Sequence, residues 1–248
     1  AHIDGWNGKF KLEDGDKWRS HLYDMGVNAD YNASLDDVSL NVGAHGVYYN
    51  YNYLSGRVQN ANSLGAHVGV SGFTEEQNKY DATISYTRFG RSTYFDRYLS
   101  HSENHINGKA SLEMNLSEWG MALVRLNGDV LTYQGLTDYH GLISLGITPQ
   151  WSYQHGDLHL VTGFNMDFIG GNHIDHPLQF SPECSISFVP ENRFSALLTL
   201  DGGRKVNTFS RLHKLSPYWV STEQLRPTYT FMNAHLDGGV RIIEGLHL

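Results

Sequence analysis

The chain has 248 residues, a formal net charge of −8, 15 tyrosines among 12% aromatic residues, and one cysteine. Its length admits one large domain or two small ones. The acidic balance without a basic run argues against nucleic acid as a partner, and the lone Cys184 permits no internal disulfide. No apolar run approaches the roughly 20 residues of a membrane helix. A mean hydropathy of −0.41 still leaves room for a barrel, because a wet lumen face cancels a lipid face.

The first residues, Asp4-Gly-Trp-Asn-Gly-Lys-Phe-Lys, read as a strand or loop entered midway. From Ser20 to Ala33 the odd positions are His21, Tyr23, Met25, Val27, Ala29 and Tyr31, while the even ones are Leu22, Asp24, Gly26, Asn28, Asp30 and Asn32. That is a strand with a different solvent on each side. The alternation returns at Val38–Tyr48, Ser63–Ser71, Tyr80–Thr87, Ile106–Leu116 and Met121–Val130, the last with Met121 and Leu123 off pattern. It continues at Ile143–Thr148, Leu158–Phe168, Gln179–Phe188, Phe194–Asp201 and Met232–Ile242, and Gly245–Leu248 starts a twelfth segment. Pro149 and Pro182 each predict a bulge or a strand end, since proline donates nothing to a ladder.

Connectors alternate in length. Ser34–Asp37, Glu75–Asn78, Ser117–Glu118, His155–Asp157, Pro190–Arg193 and Glu244–Gly245 are short; Tyr49–Asn62, Gly90–His105, Gln134–Tyr139, Gly170–Pro177 and Gly203–Pro227 are long. Short turns on one rim and long loops on the other predict an all-β fold, an antiparallel up-and-down transmembrane β-barrel of about twelve strands, as one domain over residues 1–248 without a separate plug domain. Tyr48, Tyr49, Tyr51, Tyr53, Tyr94, Phe95, Trp119, Tyr133, Trp151 and Tyr153 lie near strand ends, as in an aromatic girdle. Eleven full segments and a short twelfth lead us to expect a portion of a larger barrel; the alternative is a small complete one.

The polar parity supplies the candidate lumen residues: Asp24, Asp30, His45, His67, Asp81, Glu113, Arg125, Asp129, Asp167, Asp237 and Arg241. Rings of such charge set pore selectivity; a mutually hydrogen-bonded polar plug is the alternative use. His173, Asp175 and His176 form a His-x-Asp-His that could ligate zinc, although the spacing is loose and a polar loop explains it as well. No catalytic constellation is evident, and we expect no enzyme, cofactor or metal. In Gly203–Pro227, Arg204, Lys205, Arg211, His213 and Lys214 could meet anionic lipopolysaccharide headgroups or a partner; a solvated loop is the plainer reading.

Three segments, Tyr31-Asn-Ala-Ser-Leu-Asp-Asp-Val-Ser-Leu-Asn-Val-Gly, Leu145-Gly-Ile-Thr-Pro-Gln-Trp and Asn233-Ala-His-Leu-Asp-Gly-Gly-Val-Arg-Ile-Ile-Glu-Gly-Leu, resemble outer-membrane β-barrel proteins of Bacteroidota labelled TonB-dependent-receptor-like. The resemblance implies the bacterial outer membrane and a transport role, porin-like or receptor-type. A plug domain and a TonB box are not recognisable. The expected partners are outer-membrane lipid and other outer-membrane or lipoprotein subunits. The alternative function is a closed scaffold barrel that binds partner proteins of an outer-membrane complex.

Overall fold

In the computed structural model, residues 1–11, 17–52, 58–94, 98–116, 120–135, 141–171, 174–190, 194–216, 225–243 and 246–247 are described, and all structural statements concern these. The strands are β1 (His2–Lys11), β2 (Lys17–Leu35), β3 (Val38–Asn52), β4 (Val58–Phe73), β5 (Lys79–Tyr94), β6 (Tyr98–Asn115) and β7 (Met121–Gln134). They continue with β8 (Gly141–His155), β9 (Leu158–Gly171), β10 (Leu178–Pro182), β11 (Cys184–Phe188), β12 (Phe194–Lys205), β13 (Thr228–Ile243) and β14 (Leu246–His247). One helix, α1 (Phe209–Leu215), lies between β12 and β13.

Spatial order repeats sequence order, each strand antiparallel to the one before, so the chain is an all-β up-and-down sheet of the expected barrel class. No pairing among the described residues joins β1 to β13 or β14. The expected strand count is corrected upward by β1, which the opening segment hid. Its outer parity, Ile3, Gly5, Asn7, Lys9 and Lys11, is mostly not apolar.

The two prolines act differently. β10 ends at Pro182, and the Glu183 N–H donates to Gly163 O at 3.1 Å, so β10 and β11 are two halves of one pass. Pro149 does not end β8. The β8–β9 rungs run Ile147↔Met166 and then Gln150↔Gly163, a gap centred on the proline that cannot donate.

Two of the five long connectors, Tyr49–Asn62 and Gly90–His105, are mostly strand. β3 runs on to Asn52, β4 starts at Val58, β5 reaches Tyr94 and β6 starts at Tyr98. The turns Asp36–Asp37, Thr74–Asn78 and Gly156–Asp157 share the opposite rim. Alternation is concealed in the strand extensions because the two faces exchange character. In mid-sheet the outer parity is apolar and exposed: Val27 61%, Leu64 60%, Ile84 59%. Towards the long-loop rim the outer parity turns polar, with Asn50, Asn60, Asn62, Asn104 and Thr132. There the inner parity turns apolar and buried, with Tyr51, Ala61, Phe89, Leu131, Tyr133, Leu142 and Ile169.

The outer border is marked by hydrogen-bonded side chains. Tyr48 OH donates to Asn60 Oδ1 at 2.9 Å, Tyr86 OH to Asn104 Oδ1 at 2.9 Å, and Asn104 Nδ2 to Thr132 Oγ1 at 3.3 Å. Phenolic rings with wet tips belong at such a level. This border crosses the sheet obliquely. Along the register Val130↔Ile106, Ile106↔Tyr86, Tyr86↔Ala66, Ala66↔Ala44 and Ala44↔Ala29, the last outward apolar or aromatic residue is Val130 on β7, Ile106 on β6 and Tyr86 on β5. The unbroken outward apolar run ends at Leu64 on β4, where Asn62 and Asn60 separate it from Val58, at Tyr48 on β3 and at Tyr23 on β2, the last of these six residues beyond Ala29. The border is level from β7 to β5 and shifts two residues per strand from β5 to β2; six residues are about 20 Å of strand and five strand spacings about 24 Å, an average slope of about 40°. A flat plane cutting strands tilted by about 35–45° gives that slope.

Candidate functional site: the inner face and its inward-folded loop

The registers put the sequence-chosen residues on one face. Gly43 stands opposite both Asp30 and His67, and His67 opposite Ser85. Ser85 stands opposite Asn107, and Asn107 opposite Asp129. This is the face that α1 covers, and we call it inner.

Along it the residues fall into separate groups. Near β1–β4, His2 Nε2 lies 3.2 Å from Asp24 Oδ1, His67 Nε2 lies 2.6 Å from Asn41 Oδ1 and 3.8 Å from Asp30 Oδ1. His2, Asp24, Asp30 and His67 line a cavity of about 380 Å³ with His45 and Lys214. Asp81 and Arg125 line a second cavity, of about 370 Å³, with Lys109, Ser111, Asn165 and Glu183. There Arg125 Nη2 donates to Glu183 Oε1 at 2.9 Å, and Asn165 Nδ2 to Glu183 Oε2 at 3.1 Å. Asp129 accepts from Asn107 Nδ2 at 2.8 Å and pairs with His105 Nε2 at 2.8 Å. Asp167 accepts the Arg204 backbone N–H at 3.2 Å, with the guanidinium 3.7 Å away. Glu113 stands opposite Lys79, and Asp237 opposite Leu197, both apart from these groups. Arg241 is in β13, but its side chain lies outside the described residues, as does His173. Asp175 and His176 are exposed.

The sequence missed the loop that follows β12. Residues 206–216 turn onto the inner face instead of projecting from the rim. Thr208 caps α1, its hydroxyl accepting the Arg211 N–H at 3.1 Å. The Phe209 N–H donates to Glu103 Oε2 at 2.7 Å. The Phe209 ring is wholly buried, against His101 and edge-on to Tyr133 at 5.1 Å between centroids. One turn on, His213 is enclosed by the Tyr49, Tyr51 and Phe89 rings at 4.5, 5.6 and 5.4 Å. Burying one such phenylalanine supplies about 2–3 kcal/mol. The headgroup-contact reading of this loop is corrected for two members. Arg204 pairs with Asp167 and His213 is buried, so neither reaches a bilayer surface. Thr208 ahead of Phe209, Leu212 and His213, a cap followed by helically spaced bulky residues, was the available signal.

Burial, together with the nearby Arg91 charge, pushes the His213 pKa down to about 4. Neither ring nitrogen has a hydrogen-bond partner among the described residues. The ring is therefore docked neutral. The unfolded-state value is near 6.5, so the docking contribution is whole above about pH 6.5 and is lost as pH falls towards 4, by a few kcal/mol. Hydrogen exchange of the α1 amides, corrected for intrinsic rate, should lose protection between pH 7 and pH 4. The variant His213→Phe should flatten that dependence; equal pH profiles would refute it.

On the outer face a hollow of about 680 Å³ lies over Gly108 and Gly128, among Val68, Ile84, Leu126, Leu145 and Phe168. It is a dimple in the apolar band.

No family model and no curated protein matches the chain. Among solved structures, CdiB from Acinetobacter baumannii is similar at 11% identity and a TM-score of 0.44, covering 96% of this chain and 50% of that one. The chain thus spans half the length of that structure, and the likeness is too loose to carry an argument.

Proposed function

We propose that this chain is a bacterial outer-membrane β-barrel, non-enzymatic and of transport type, whose lumen is occluded towards the long-loop rim by its own residues 206–216. The oblique border carries the reading. An apolar face bounded by a tyrosine–asparagine belt, sloping at the tilt of barrel strands, fits a bilayer surface and has no role in a water-soluble sheet. The inner face suits polar solutes: within the described strands it bears every aspartate and glutamate, set among Asn, Ser, His and a few cations. The resemblance of three segments favours a receptor-type barrel within this class. Lipid is the first partner, and other outer-membrane or lipoprotein subunits are the second. The hydrogen-bonded inner network and docked loop also suit the alternative, a closed scaffold.

Planar-bilayer recording separates the two. The transport reading expects a nearly silent protein with rare, brief openings that become frequent when residues 206–216 are replaced by a short Gly-Ser linker. Silence in both forms favours the scaffold, and failure to insert refutes the membrane reading. Orientation has its own test. Protease added to intact cells should cut in the segment 217–224 and spare Thr74–Asn78; the reverse would invert the chain.

A further inference from the structure

Sorting the charges by face exposes a one-sided distribution. Every aspartate and glutamate in the described strands lies on the inner parity, whereas the charged residues of the outer parity are all cations, among them Lys9, Lys11, Arg19 and Arg88. All four are exposed, and none has an ion-pair partner among the described residues. Arg88 stands just beyond the border, opposite Asn104 on one side and Leu64 on the other, two residues past Tyr86. Lys9 and Arg19 face each other directly across β1 and β2. Two like charges opposite each other destabilise a sheet pair. A chain with net charge −8 has acids to spare, yet the described strands place none beside these cations.

We infer that the outer belt above Tyr23, Tyr48 and Tyr86 is a binding strip for the phosphate of lipid headgroups, with Arg88 and the Lys9–Arg19 pair as its cationic contacts. The inference rests on the membrane reading above. The missing negative charge comes from the leaflet. A guanidinium takes a phosphate with two parallel N–H donors, which an ammonium cannot match. The belt's Asn62 and Asn104 offer neutral donors to headgroup oxygens on either side of Arg88. A merely snorkelling arginine would need a wet level and no phosphate. The chemistry therefore discriminates between lipids that differ only in phosphorylation.

Native mass spectrometry of the folded protein in neutral detergent tests this, with lipid A and its dephosphorylated form supplied together. Lipid A should be retained in preference, and Arg88→Gln and Arg19→Gln should each reduce that preference about fivefold. Lys109→Gln, on the inner face, should not change it. Equal retention of the two lipids by the wild type overturns the inference without any variant. So does an unchanged preference in the double variant. Inorganic phosphate that displaces lipid A completely would mark an adventitious ion only, and would also overturn it. Flotation with phosphatidylcholine vesicles separates the failures. A protein that floats but ignores phosphorylation sinks this inference alone, and one that does not float sinks the membrane reading as well.

Discussion

Replacing Phe209 with alanine should release the inner-face loop and raise the open probability in planar bilayers by two orders of magnitude or more. The wholly buried ring packs against His101 and Tyr133, beside the Glu103 carboxylate that holds its own N–H. Truncating a buried phenylalanine costs about 3–5 kcal/mol, and the loop has few other anchors. A docked segment that loses that much changes from rarely to often undocked. Leu215→Ala is the control, because Leu215 is 74% exposed at the end of the same helix and anchors nothing. Strands should stay folded in both, as judged by heat-modifiable gel mobility. An unchanged recording from Phe209→Ala would show that this loop does not control the lumen.

The second large effect is in the apolar band. Leu112→Arg should cost about 2–4 kcal/mol of folding stability in lipid, falling with distance from the midplane. The adjacent Ser111→Arg should cost a small fraction of that, because Ser111 lines the wet cavity shared with Arg125 and Glu183. Urea unfolding in vesicles reads the difference directly. Equal penalties at the two neighbours would remove the assignment of one face to lipid. Ile84→Arg against Ser85→Arg repeats the comparison one strand away.

The middle of each strand was legible because two solvents impose period two on the residues between the borders. Positions such as Val42, Val68 and Ile84 lie on the apolar parity of the alternating segments, and each is exposed on the outer face. Of the eleven candidate lumen residues, ten have described side chains and all ten share the inner parity. Their grouping was not legible. Asp129 meets His105, and Asp167 meets Arg204, through registers that no single segment contains. Beyond the tyrosine belt the signal failed for a physical reason. Asn60 and Ala61 carry the same alternation as Leu64 and Ser63, but with the faces exchanged, so the segment looked like loop. The helix α1 was hidden by its length of one seven-residue element inside a connector. Its stability comes from Phe209 and His213 docking on distant strands, not from its own propensity.

The exchange of faces along each strand carries a consequence for any record of tolerated substitutions. On β5, positions Ala82, Ile84 and Tyr86 should accept apolar residues and refuse charge, while Thr83, Ser85 and Thr87 should do the opposite. At Arg88 and Phe89 the wave slips by half a period: even positions then welcome polarity and odd ones demand bulk. Read strand by strand, the slip should stay level from β7 to β5 and then fall two residues nearer the long-loop rim on each of β4, β3 and β2. Such a phase map would locate the membrane surface in living cells to within one residue, with no coordinates at all.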